Sequence, residues 1–165
     1  MPYRYKCATC DQWHEGFPDM GFDEPIYVAQ MPEDERAKRV FLTTDFCVVD
    51  DTSFFVRGVL VLPVIGIEES FGWGVWSSLS QANFTRYQQH YGDDVSDWQP
   101  MFGWLSNRLP DYPDTVNLAV SMQTSTRGQR PLLTLKPGDH PLARDQAAGI
   151  SLERVLAIVG PLIHP

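Results

Sequence analysis

The chain has 165 residues, 43% of them apolar and 12% aromatic, with a formal net charge of -8. That length and composition describe one ordinary globular domain with its own hydrophobic core, and exclude a disordered chain or one that needs disulfides or a metal in place of a core. The acidic balance argues against a nucleic-acid partner, because phosphate backbones are gripped by many Lys and Arg side chains.

Residues 1–30 read as irregular. Gly16, Pro18, Gly21 and Pro25 punctuate an aromatic-rich stretch, and one short strand is expected around Cys7, followed by a loop. The segment Met1-Pro2-Tyr3-Arg4-Tyr5-Lys6 lacks the apolar run of a secretory signal, and no run of about eighteen apolar residues occurs anywhere. A cytoplasmic protein with no membrane partner is expected.

A short helix is expected over 32–39, with Pro32 at its first position, acidic Glu33, Asp34 and Glu35 in the first turn, and Arg36, Lys38 and Arg39 near the end. Residues 45–50, 53–62 and 70–79 are rich in β-branched and aromatic side chains and read as consecutive antiparallel strands. In the second, Phe54, Val56, Gly58, Leu60 and Leu62 share one face, and Ser53, Phe55, Arg57, Val59 and Val61 the other. Both faces are largely apolar, so this is a central strand covered on both sides over part of its length. Arg57 must then reach an edge or pair with a carboxylate.

Ser80 caps a helix over 81–91, where Phe84, Tyr87 and Tyr91 share a face. Further strands are expected at 101–106, 115–124 and 131–136, separated by Pro110, Pro113 and the Arg127-Gly128 turn. Two helices close the chain. One spans 141–148 and is ended by Gly149; the other spans 152–159, capped by Ser151, with Leu152, Val155, Leu156 and Val159 as its apolar stripe. The whole predicts a single-domain α+β fold over residues 1–165, a mainly antiparallel twisted sheet with helices packed on it.

Several blocks carry a family resemblance: Cys7-Ala8-Thr9-Cys10, His14-Glu15-Gly16-Phe17-Pro18, Asp45-Phe46-Cys47-Val48-Val49-Asp50 and Phe54-Phe55-Val56-Arg57-Gly58. They continue with Trp73-Gly74-Val75-Trp76-Ser77-Ser78-Leu79-Ser80, Phe102-Gly103-Trp104-Leu105, Leu109-Pro110-Asp111-Tyr112-Pro113, Asp139-His140-Pro141-Leu142-Ala143 and Gly149-Ile150. Together they resemble the bacterial domain-of-unknown-function family 2199. The resemblance implies a bacterial cytosolic protein of one domain and carries no activity, substrate or catalytic residue with it. Asp11 stands where the resemblance implies a glycine, the residue suited to the tight turn of a metal knuckle.

Three cysteines cannot all pair within one chain, and in a reducing compartment they serve as thiols or metal ligands. Cys7-x-x-Cys10 followed by His14 places three soft donors within one short segment, and Cys47, from a strand, is the candidate fourth. Together they make a candidate tetrahedral zinc site of three thiolates and one imidazole. The competing reading makes Cys7 and Cys47 small apolar core residues and leaves His14 in a surface loop. A thioredoxin-type redox pair is less well supported, since that motif precedes a helix in a βαβ unit and none is evident.

Asp139-His140 reads better as a helix cap, through Asp139 with Pro141 in the first turn, than as a catalytic pair. Ser77, Ser78 and Ser80 lie in no nucleophile elbow, and Gly72 and Gly74 lie in no phosphate-binding loop. These two glycines share a strand face and leave room for a large neighbour, an aromatic ring being favoured. Asp50-Asp51 and Asp93-Asp94 fall at turns.

The function that follows is a non-enzymatic cytosolic domain that binds a protein partner, with zinc bracing its N-terminal segment. Two others stay open. One is a small metal-dependent enzyme with a cleft lined by Trp73, Trp76, Arg57 and His140. The other is an acidic, immunity-like protein that neutralises a basic effector.

Overall fold

The computed structural model describes residues 2–7, 9–18 and 20–164; Met1, Ala8, Asp19 and Pro165 lie outside the described residues. The chain opens with a hairpin, β1 (Arg4–Lys6) and β2 (Trp13–Glu15), then the short strand β3 (Met20–Gly21). Helices α1 (Ile26–Ala29) and α2 (Glu33–Arg39) lead to β4 (Val40–Leu42), β5 (Phe46–Val49), β6 (Ser53–Leu62) and β7 (Phe71–Leu79). Helix α3 (Gln81–Gln89) precedes β8 (Met101–Trp104), β9 (Ala119–Gln123) and β10 (Leu132–Leu135). Helices α4 (Pro141–Ala148) and α5 (Leu152–Ile163) follow. Among the described residues no helix is long and apolar enough to cross a membrane.

The fold is mixed α/β, with five helices among the described residues and a main sheet in the order β3-β7-β6-β10-β9-β8. β6 and β7 form its long central pair, in register from Phe54 opposite Leu79 to Leu62 opposite Phe71. Alternation along this pair divides the interior. Val56, Leu60 and Leu62 join Phe71, Trp73 and Val75 in the main core with α3, α4 and α5. Phe55 and Trp76 point the other way, into a smaller cluster with Val28, Cys47 and Val49. β6 is therefore covered on both sides over part of its length, as its two apolar faces require.

Most strand pairs of the sheet run antiparallel, but the sheet is mixed, because β3 runs parallel to β7 and β10 parallel to β6. Strands joined by short turns must run antiparallel, and β5–β6, β6–β7 and β9–β10 do. The two parallel contacts join strands separated by long stretches of chain, where no turn dictates direction. The β6–β10 contact has one register pair, Leu132 opposite Val59, and Gln146 of α4 supplements it. Its amide donates to Val61 O (3.3 Å) and Leu133 O (3.0 Å) and accepts from Leu135 N (2.7 Å).

The far end of the sheet curls back onto β7. Leu105 bridges Ser77, Ser106 N donates to Trp76 O at 2.8 Å, and Trp104 N donates to Ser78 Oγ at 3.1 Å. The backbones meet so closely that a Cβ on Gly103 would run into Ser78 O and Ser77 Oγ.

Ser80 and Ser151 cap α3 and α5 as expected, each accepting a backbone N–H at 3.2 Å. α4 is capped by His140 and not by Asp139. His140 Nδ1 accepts from Leu142 N at 3.1 Å, while the exposed Asp139 sits 3.6 Å from Arg144 Nη2. The segment expected to be irregular holds a hairpin and β3, and α5 runs four residues beyond its expected end at 159.

Replacement of Gly103 by Ala is expected to lower unfolding stability by about 3 kcal/mol, since the clash is with backbone that cannot turn aside. Urea denaturation of the two proteins measures this; an unchanged midpoint would mean that the closure is looser than described.

Candidate metal centre

The N-terminal hairpin pairs Tyr5 with His14 and Lys6 with Trp13, which brings Cys7 and Cys10 to its tip. Two backbone bonds tie the tip, Asp11 N to Cys7 O (3.0 Å) and Cys7 N to Gln12 O (2.9 Å). Asp11 adopts φ 57°, the left-handed conformation that a glycine would take, and its carboxylate meets Lys6 Nζ at 2.8 Å. Aspartate is among the few residues with a side chain that enter this region readily, so the tight turn forms without glycine.

The backbone amides of Cys10 and Thr9 donate toward the Cys7 sulfur and hold its thiol below the ordinary cysteine range. A sulfur so held is readily a thiolate, the form that binds metal. Cys10 Sγ lies 3.2 Å from His14 Nε2. The fourth donor is His164, at the C-cap of α5, whose ring centroid is 5.9 Å from that of His14.

One donor atom from each of Cys7, Cys10, His14 and His164 lies within 4.8 Å of the other three. Tetrahedral zinc with bonds of about 2.0–2.3 Å sets donor–donor edges of roughly 3.3–3.8 Å, so a contraction of about 1 Å at the widest edge closes the set. His164 Nε2 is buried and has no hydrogen-bond partner among the described residues. An orphaned buried nitrogen of this kind costs free energy, and a cation between it and the two sulfurs would remove that cost. The donor set, two thiolates and two imidazoles, suits zinc.

Tyr5 supports the centre from below. Its ring stacks on His14 at 5.6 Å, and Phe17 links it at 6.3 Å to the main core, where Phe17 meets Phe71 edge-on at 6.2 Å. Burial, with the nearby Cys7 and Cys10 sulfurs, pushes the Tyr5 hydroxyl pKa up. The phenol therefore stays protonated and available as a donor beside the sulfurs.

Cys47 lies elsewhere. It pairs with Phe55 across β5 and β6, on the sheet face opposite the main core, fully buried among Val28, Val49, Phe55 and Trp76. Burial, reinforced by the nearby Glu24 carboxylate, pushes its thiol up to about 12. The structure thus brings together Cys7, Cys10 and His14 of the expected set, and puts His164 where Cys47 was expected. The signal for His164 was the apolar period of Val155, Ile158, Val159 and Ile163, which carries the helix through Gly160-Pro161.

The residues of the expected cleft do not converge. Trp73 and Trp76 are buried on opposite faces of β7. Besides capping α4, His140 directs Nε2 at Pro113 O and Asp114 O (3.1 and 3.2 Å), so both ring nitrogens are engaged.

These features define a mixed α/β domain whose chain ends meet in a Cys2His2 cluster. The family model described as an uncharacterized protein conserved in bacteria, DUF2199, matches residues 6–150, and the chain belongs to that family. Cys7, Cys10 and His14 fall inside the matched segment and His164 outside it. No curated protein and no solved structure matches the chain.

Thiol chemistry separates the cysteines. In metal-free folded protein at about pH 8, Cys7 and Cys10 are expected to react with an aromatic disulfide reagent at least about 100-fold faster than Cys47, whose thiol stays protonated and enclosed. Mass mapping of the modified peptides reads the order; early labelling of Cys47 would contradict its placement.

Proposed function

We propose that the protein is a non-enzymatic bacterial domain of the cytoplasm that binds a protein partner, and that a zinc ion held by Cys7, Cys10, His14 and His164 braces its two chain ends. The convergence of these four donors carries the reading. A complete protein donor set favours a bracing role, because a catalytic zinc keeps one position for water or substrate. A redox role for Cys7-x-x-Cys10 has less support, since a turn and a strand follow Cys10 where a redox motif opens a helix.

Partner binding is supported by apolar side chains left exposed on short strands. Phe41 and Leu42 project from β4, which among the described residues pairs only with β5, and Phe102 and Trp104 stand 4.9 Å apart on β8. Exposed apolar and aromatic side chains of this kind are surfaces that a second protein covers. Neutralisation of a basic effector by charge has less support, because Glu24, Asp45, Asp50 and Asp145 are each committed to an arginine of the chain itself.

Untagged protein is expected to carry about one equivalent of zinc by elemental analysis, and its retention should weaken as pH falls and the donors take up protons. His164→Ala and Cys10→Ser should reduce it below about a tenth of an equivalent, while Cys47→Ser should leave it unchanged. Chelation should remove on the order of 3 kcal/mol of stability, roughly 10 °C in Tm at this chain length. Wild-type protein without zinc and with three titratable thiols would overturn the reading.

A further inference from the structure

The second face of the central strand pair holds a cluster that the metal centre does not use. Arg57 stands on this face of β6 beside Val59, and Val59 and Val61 lie opposite Gly74 and Gly72 of β7. A cavity of about 340 Å³ opens here, lined by Arg57, Arg130, Gly21, Gly72 and Gly74, together with Asp23, the one carboxylate of the lining. That volume lies at the small end of the range for ligand pockets.

Arg57 is poorly compensated for a charge so placed. Its side chain is 15% exposed, and its ion pair is a 3.8 Å contact to Asp23, whose own side chain is fully exposed and screened by water. Its Nε is buried without a hydrogen-bond partner among the described residues. Arg130, which donates through Nε to Asp45 at 2.9 Å, adds a second guanidinium to the lining. The other Asp45 oxygen accepts from Tyr91 Oη at 2.9 Å, so this carboxylate is already engaged.

Gly21 is explained by packing, since a Cβ there would meet Gly74 O at 3.0 Å, but Gly72 and Gly74 are not. A Cβ on Gly72 would lie 3.4 Å from Val59 Cγ1, and one on Gly74 would lie 3.6 Å from Gly21 Cα and 3.7 Å from Arg57 Nη2, all ordinary contacts. Glycine within a strand weakens it, and no aromatic ring fills the space these two leave. An under-paired buried guanidinium and two strand-weakening residues thus meet at one cavity. Local rules broken together at one place mark a functional site more often than a structural one.

We propose that this cavity binds a small oxyanionic ligand, a carboxylate or phosphate group held by the guanidinium groups of Arg57 and Arg130 over a floor of glycine backbone. The fork of N–H donors on a guanidinium matches the oxygens of either group. A bound oxyanion would also give the buried Arg57 Nε the acceptor that no described residue supplies.

Calorimetric titration of the purified full chain with inorganic phosphate, and separately with succinate, tests the proposal and distinguishes the two sources. At least one anion should bind saturably with a dissociation constant below about 1 mM. Arg57→Gln should weaken that binding at least about tenfold, and Arg57→Lys, which keeps the charge and loses the fork, should weaken it measurably. Gly72→Ala, whose added methyl makes only ordinary contacts, should weaken binding with Tm unchanged or raised, and this variant decides the matter if Arg57→Gln does not fold. No saturable binding of either anion, or binding that survives both Arg57→Gln and Gly72→Ala, would overturn the proposal.

Discussion

The last turn of α5 is the constraint on which the arrangement of the chain ends depends. Pro161 has no N–H to offer Ala157 O, yet the helix continues through it to Ile163, and His164 N still reaches Gly160 O at 3.1 Å. Ile163 packs against the main core and so fixes the direction in which the chain leaves the helix. The helix passes close to the hairpin tip, where a Cβ on Gly160 would make an ordinary 3.7 Å contact with Thr9 Oγ1. Given these contacts, the His164 ring lands beside His14, and a cluster forms from residues at opposite ends of the sequence. A link between residues so far apart in sequence constrains the unfolded chain more than a local one would.

Much of the fold was legible because local chemistry and tertiary structure agree. The alternation in 53–62, the cap at Ser80 and the Pro141 to Gly149 frame of α4 each state their element in a few residues, and the structure has them at or near those bounds. Sheet direction was legible only for strands that follow one another in sequence, such as β5, β6 and β7. Turns specify it for neighbours in sequence, whereas β3 beside β7 and β10 beside β6 are chosen by how the whole chain packs. The N-terminal segment was under-read because its strands have only two or three residues. Their pairing draws on the Tyr5, Phe17 and Phe71 ring contacts, which no local pattern displays.

The candidate site was legible in part for the same reason. Cys7, Cys10 and His14 are close in sequence, so a single hairpin assembles them, and Asp11 enters the left-handed conformation that the turn demands. The fourth position is a long-range choice. Cys47 sits in β5 with its parity set by Phe46 and Val48 on the main-core side, which commits its sulfur to the opposite face. A shift of one residue in register would have been needed to turn it toward the hairpin, at the cost of exposing Phe46. His164 was masked by Gly160-Pro161, a pair that ends most helices, although the apolar period runs on beyond it.

The two uncommon environments in this chain lie on different faces of β6 and β7 and have opposite chemistry. At the hairpin, backbone amides concentrate positive potential on the Cys7 sulfur, and an aromatic layer of Tyr5 and Phe17 separates the donors from the main core. That environment favours a cation held by anionic sulfur. On the second face, two guanidinium groups line a cavity whose glycine floor contributes no side chain, an environment that favours an anion. The central pair can separate them because a strand sends alternate residues to opposite sides: Trp73 and Val75 fill the main core while Gly72 and Gly74, one position away, leave space on the other side. A single pair of strands therefore gives the molecule a well-filled core beneath the metal centre and an open, charged recess behind it.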